Sequence, residues 1–224
     1  MTFEVVNSLK PLKVAKTEHY YTRFEDDGVY HIYNRTVDRK PMFTSKDNYM
    51  FFIRKFDKYL SDFIQIYAYC LLGNHFHFLI KINELTPVNA GDMHVNPKQK
   101  TTHDIVSHQL RKFFQSYAMA FNKQQNRIGT LFQTPFKRVK IKDERYFKEL
   151  TCYINTNAQK HNLVDDFRQW KWSSYRKLIS SKKTKLLKDE LIRNYFDDLD
   201  NFIYYHLEYS NNMMASENEY FIED

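Results

Sequence analysis

The chain reads as an α+β protein, with a ferredoxin-like (RRM-like) antiparallel sheet, helices packed on it and a C-terminal helical extension. Three observations predict this. Apolar segments alternate between strand-like and helix-like periods in the order β-α-β-β-α-β-α. Two of the strand-like runs flank a Gly73-Asn74 turn signal, the pattern of a hairpin. Only 4 glycines and 5 prolines occur in 224 residues, with 42% hydrophobic and 17% aromatic residues, so a packed core is expected rather than a loop-rich or disordered chain.

In chain order, residues 1–25 are polar and mixed and read as an arm with little regular structure. Gly28 to Arg35 is rich in β-formers and gives the first strand. Ser45 or Asp47 suits the N-cap of a following helix, in which Phe51, Phe52, Lys55, Phe56, Tyr59 and Leu60 fall at helical spacing. Phe63–Leu72 is a second strand, and after the turn a third runs to about Ile82. Residues 83–101 contain Pro87, Gly91 and Pro97 without periodicity and read as a long loop.

Val106, Leu110, Phe113, Tyr117, Ala120 and Phe121 then mark a long amphipathic helix from about His103 to Gln125. Phe136–Ile141 alternates with cations and forms the last strand. Asp143 and Glu144 suit the start of the next helix, whose packed face carries Phe147, Leu150 and Ile154 and which runs to about Asn157. A short basic helix follows Trp170-Lys171-Trp172-Ser173-Ser174-Tyr175, and Leu191, Tyr195, Leu199 and Phe202 give the acidic end helical periodicity. The expected organisation is an arm (1–25), a main domain (26–180) and an acidic, partly helical tail (181–224), with no internal repeats.

Charge is unevenly distributed. Residues 189–224 hold ten carboxylates against Arg193, a local −9, so the rest of the chain carries +16 within the overall +7. Such a basic region suits a polyanion, most often nucleic acid, although a solvated basic surface has the same composition. No apolar run approaches the ~18 residues of a membrane span, and Met1–Thr22 lacks the apolar stretch of a signal peptide. Cys70 and Cys152 make no disulfide framework, and a reducing cytoplasm is the expected location.

The most informative stretch is Gly73-Asn74-His75-Phe76-His77-Phe78-Leu79-Ile80. Alternation along a strand sends His75 and His77 to one face, about 6.5–7 Å apart, and Phe76 and Phe78 to the other. Two imidazoles so placed can converge on one metal ion; a hydrogen-bonded histidine pair on a half-buried strand is the other reading. A tyrosine nucleophile with an oxygen ligand four residues later would face such a site from a helix. Tyr153 with Asn157 and Tyr204 with Glu208 have that spacing. The second pair lies among acidic residues, a poor place for a polyanion. From the residues alone, an ordinary amphipathic helix with a polar end is the favoured account of Tyr153 and Asn157.

From Gly28 to Tyr175 the chain resembles the single-tyrosine HUH transposases (His, hydrophobic, His), and most nearly their REP-associated tyrosine transposase branch. The matching residues are Tyr30-His31-Ile32-Tyr33-Asn34-Arg35, the histidine strand, Phe121-Asn122-Lys123, Arg127-Ile128-Gly129-Thr130-Leu131-Phe132, Phe136-Lys137-Arg138, Tyr153-Ile154-Asn155-Thr156-Asn157 and Trp172-Ser173-Ser174-Tyr175. Two departures stand out: Leu72-Gly73 replaces the family's usual Met-Pro before Asn-His, and Asn157-Ala158-Gln159 replaces its usual Asn-Pro-Val.

The resemblance implies cleavage and rejoining of single-stranded DNA beside a hairpin through a 5′-phosphotyrosine. It implies Tyr153 as nucleophile, and Mg²⁺ or Mn²⁺ held by His75, His77 and Asn157. Monomer and homodimer are both compatible with it. The expected DNA contacts are Lys137, Arg138, Lys140, Lys142, Arg176 and Lys177, with Trp172 and Tyr175 as base-stacking candidates that core packing would equally explain. Two rival functions are a hairpin-binding module that no longer cuts and a histidine-metal hydrolase acting through water.

Overall fold

The computed structural model describes residues 18–85, 101–180 and 194–215. Most of the expected arm and long loop, the basic run at 181–193 with Leu191, and the last nine residues lie outside the described part. A one-turn helix α1 (Glu18–Tyr21) precedes β1 (Val29–Arg35), α2 (Lys46–Leu60), β2 (Ile64–Leu71), β3 (His75–Ile82), α3 (Thr102–Gln124), β4 (Lys137–Ile141), α4 (Glu144–Lys160), α5 (Tyr175–Leu178) and α6 (Leu199–Ala215). The four strands form one antiparallel sheet in the order β2-β3-β1-β4, the ferredoxin-like arrangement predicted by the element order.

The two crossover helices cover one face. Ser45 caps α2 and Thr101 caps α3, each in a reciprocal capping box with the residue three positions on, Asn48 and Asp104. Their aromatic faces meet the outward alternation of β3: Phe52 lies 5.2 Å from Phe76, and Phe56 stacks on Phe78 at 4.3 Å. Phe113 and Tyr117 of α3 meet Phe52 edge-on at 4.9 and 4.8 Å. Burial of these rings, at about 25 cal/mol per Å² of apolar surface, is what makes this face core.

The turn between β2 and β3 is the expected two-residue one: Leu71 pairs with Phe76, and the Leu72 amide donates to the His75 carbonyl, which leaves Gly73 and Asn74 as the loop. Gly73 is not in the left-handed region. A Cβ there would meet nothing within 4 Å. What the turn offers is its carbonyl, which accepts from the amides of Met42 and Phe43 and ties the turn to the segment before α2.

On the opposite face lies α4, capped by the Asp143 carboxylate on the Tyr146 amide at 2.7 Å. It continues past Asn157 to Lys160 because Ala158 and Gln159 impose no proline break. The acidic C-terminal segment contributes α6, which packs on α4 with Phe202 and His206 fully buried. One buried chain of hydrogen bonds ties these parts together. The Tyr69 amide donates to Ser174 Oγ, whose hydroxyl donates to Asn155 Oδ1; Asn155 Nδ2 donates to His206 Nε2, and His206 Nδ1 donates to the Phe202 carbonyl. No described helix is long and apolar enough to cross a membrane.

Candidate active site

The register decides what shares the α4 face. Tyr33 pairs with His77, Arg35 with His75 and Lys137 with Tyr33, so these residues and His31 project to one side of the sheet. His75 and His77 lie edge to face with ring centroids 5.4 Å apart, and both are buried.

Each imidazole is held through Nδ1. His75 Nδ1 is 2.7 Å from Asn74 Oδ1, and the Asn74 amide is oriented by its Nδ2 donating to the Arg39 carbonyl. His75 therefore carries its proton on Nδ1, which leaves the Nε2 lone pair for a ligand. His77 Nδ1 is 3.0 Å from Nε2 of His31. Burial, then the neighbouring histidines His31, His75 and His161 and the Lys160 ammonium, hold His77 well below the usual histidine pKa, so it is neutral at physiological pH.

Helix α4 lies across this pair. The Tyr153 ring meets the His77 ring edge-on at 5.5 Å, and two turns later the His161 ring meets His75 at 4.8 Å. Positions 153, 157 and 161 follow one another on a single helix face. Asn157 lies between them on that face. Its amide is fully buried, and neither Oδ1 nor Nδ2 has a hydrogen-bond partner among the described residues; the same is true of His77 Nε2. The Lys160 ammonium lies over the Tyr153 ring at 5.3 Å. From α6, Tyr209 reaches this neighbourhood; burial, then Tyr153, push its phenol up.

Desolvated polar atoms without partners cost about 1–3 kcal/mol each, so their concentration here marks a place where a ligand is expected. No group of three or more His, Cys, Asp or Glu side chains suited to a metal exists among the described residues. The donor set is instead two imidazole nitrogens and an amide oxygen. That set fits a divalent ion that accepts mixed nitrogen and oxygen ligands and completes its shell with phosphate or water oxygens.

The basic residues divide between the two faces. Lys137 is on the histidine side, its ammonium 5.6 Å from the Tyr33 ring centroid. Arg138 and Lys140 alternate to the other side. Arg138 is buried against Phe24 and Phe136 and donates to the Thr22 carbonyl, while Lys140 pairs with Glu25. Lys142 is exposed just beyond β4, and Arg176 and Lys177 are exposed on α5.

Trp172 stacks on Tyr49 at 4.4 Å and 6°, and Tyr175 is buried among Phe167, Phe202 and His206. Tyr204, the alternative tyrosine, is exposed on α6 beside Tyr205. The residues that spacing did not find are His31, Lys160, His161 and Tyr209. The absence of proline after Asn157 was the available signal for Lys160 and His161.

Comparison with known proteins gives a fold relationship. No protein-family model and no curated protein matches the chain. Among solved structures, a REP-associated tyrosine transposase bound to a REP hairpin superposes with a TM-score of 0.55 at 16% identity, over 75% of this chain and 90% of that one. The antiparallel sheet with its packed helices is thus a fold shared with that transposase.

Proposed function

We propose that the protein is a single-tyrosine HUH-type nuclease and strand transferase acting on single-stranded DNA beside a hairpin. The observation that supports this reading is the ring contact of Tyr153 on α4 with His77, one helical turn before the buried Asn157 amide, which has no hydrogen-bond partner among the described residues. The hairpin comes from the neighbouring structure, a transposase bound to a REP hairpin.

Mg²⁺ or Mn²⁺, held by His75 Nε2, His77 Nε2 and Asn157 Oδ1, would supply positive charge that polarises the scissile phosphate. The chain's own groups do the rest. Tyr153 Oη attacks phosphorus, the phenolic proton departs, and the P–O3′ bond breaks as that oxygen takes up a proton. The products are a 5′-phosphotyrosine and a free 3′-hydroxyl. The link keeps the phosphodiester energy, so a second 3′-hydroxyl can reverse the step on another strand. A free phenol has a pKa of about 10, and the Lys160 ammonium over the Tyr153 ring favours its anion as the proton leaves. Exposed Lys142, Arg176 and Lys177, and Lys137 on the histidine side, would contact the DNA backbone.

The test is incubation with hairpin-bearing single-stranded DNA and Mn²⁺, followed by denaturing electrophoresis for a covalent adduct. The expected adduct disappears in Tyr153→Phe. Cleavage that survives this change indicates water-mediated hydrolysis, and tight binding without cleavage indicates a hairpin-binding module; either result overturns the proposal.

A further inference from the structure

His31 stands behind the histidine pair on β1 and takes no part in the chemistry above. It pairs across the sheet with Leu79, one side-chain repeat from His77, so it reaches His77 along the diagonal. The diagonal is closed: His31 Nε2 is 3.0 Å from His77 Nδ1, and the rings are near-parallel, 21° apart with centroids at 5.2 Å. Both residues are buried, and Tyr33 stacks on His31 at 4.7 Å and on His77 at 5.7 Å, which fixes the plane of each ring.

A neutral imidazole has one donor and one acceptor nitrogen, so this contact runs in one of two directions. If His31 donates, the His77 proton sits on Nε2. That buried N–H then points into the site without an acceptor, since His77 Nε2 has no partner among the described residues. If His77 donates, its Nε2 carries a lone pair, which a cation can use, and the His31 proton sits on its other nitrogen, Nδ1, so what separates the two directions is which ring faces α4. His75 has the second pattern, with Nδ1 donating to Asn74 Oδ1.

We propose that His31 is a positioning residue that accepts the Nδ1 proton of His77 and thereby holds the His77 Nε2 lone pair toward α4. The assignment rests on the metal site of the proposed function for its purpose, but the tautomer is a property of the metal-free protein. His31 is to His77 what Asn74 is to His75, so both imidazoles are set by a neighbour outside the donor set. Such supporting groups typically change metal affinity by about 10–100-fold.

The experiment has two independent readouts. Long-range proton–nitrogen NMR of the metal-free protein reports which nitrogen of His77 is protonated, and Mn²⁺ titration followed by electron paramagnetic resonance reports affinity. The wild type is expected to show the Nδ1–H tautomer at His77. His31→Gln, whose amide oxygen still accepts, is expected to retain that tautomer and bind Mn²⁺ within about 3-fold of wild type. His31→Leu, which cannot accept, is expected to mix tautomers and bind Mn²⁺ about 10–100-fold more weakly. An Nε2–H His77 in the wild type, or wild-type Mn²⁺ affinity in His31→Leu, overturns the assignment. His77→Ala separates the two claims: unchanged Mn²⁺ binding there overturns the metal site itself, and the wild-type tautomer still decides the role of His31.

Discussion

Tyr153 meets His77 edge-on, ring to ring, at 5.5 Å, from a helix that starts more than sixty residues after the histidine strand ends. The aromatic contact needs only the ring, whereas the proposed chemistry needs the hydroxyl. Tyr153→Phe should therefore fold and bind hairpin DNA within about 3-fold of wild type. Adduct formation should fall by at least ~10³-fold, as expected when a nucleophile is removed. Gel-shift and covalent-adduct assays on the same preparation measure both, and a variant that still forms the adduct would refute the role of Tyr153.

Asn157 makes the opposite prediction for stability and for activity. Its buried amide has no hydrogen-bond partner among the described residues, so leucine, which shares its branching at Cγ without the polar atoms, should relieve a penalty of about 1–3 kcal/mol that exceeds the cost of its larger side chain. For a chain of this size that is a rise in Tm of a few degrees. The Mn²⁺-dependent increase in Tm expected of the wild type should vanish in Asn157→Leu, because mass-action stabilisation requires the ligand to bind the folded state. Thermal scans with and without Mn²⁺ test this; a metal-free Tm below wild type would mean that the amide is satisfied and structural.

His75 with His77, and Tyr153 with Asn157, were legible in the sequence because each pair is set by a local period, two along a strand and four along a helix. Joining the pairs needed the family resemblance, since spacing alone does not say which helix lies on which face. His31 was beyond the local rules because its contact depends on β1 pairing with β3 in one register. The same gap explains the basic strand: charge counting put Lys137, Arg138 and Lys140 together, while alternation separates them once the pairing with β1 is known. The two-residue turn was inferred from Gly73-Asn74, but the carbonyl contacts of Gly73 to Met42 and Phe43 are long-range and have no signature in the turn itself.

That separation predicts different outcomes for neighbouring cations. Lys137→Ala should leave stability nearly unchanged and reduce the salt dependence of single-stranded DNA binding, the slope of log affinity against log salt becoming shallower by about 0.7. Arg138→Ala removes a buried guanidinium from the Thr22 carbonyl and from two phenylalanine faces. It should cost about 2–3 kcal/mol in urea unfolding. Equal salt slopes for wild type and Lys137→Ala would remove Lys137 from the DNA path.

His206 gives α6 a pH-dependent hold on the tyrosine helix. Burial lowers its pKa to about 4 and outweighs the backbone hydrogen bonds, that to the Phe202 carbonyl first, which pull the other way; Nδ1 donates to that carbonyl and Nε2 accepts from Asn155. An unfolded histidine titrates near 6.5. Between these values the unfolded state binds the proton and the folded state does not, so folding stability falls as pH drops from about 6.5 to about 4 and is fully present above that window. The integrated effect is at most roughly 3 kcal/mol. His206→Gln, with one amide oxygen to accept from Asn155 and no imidazole to titrate, should be less stable than wild type at pH 7.5 but lose less stability on acidification to pH 4.5. Urea midpoints across this range decide it: parallel curves for the two proteins would show that His206 does not link α4 and α6 to pH.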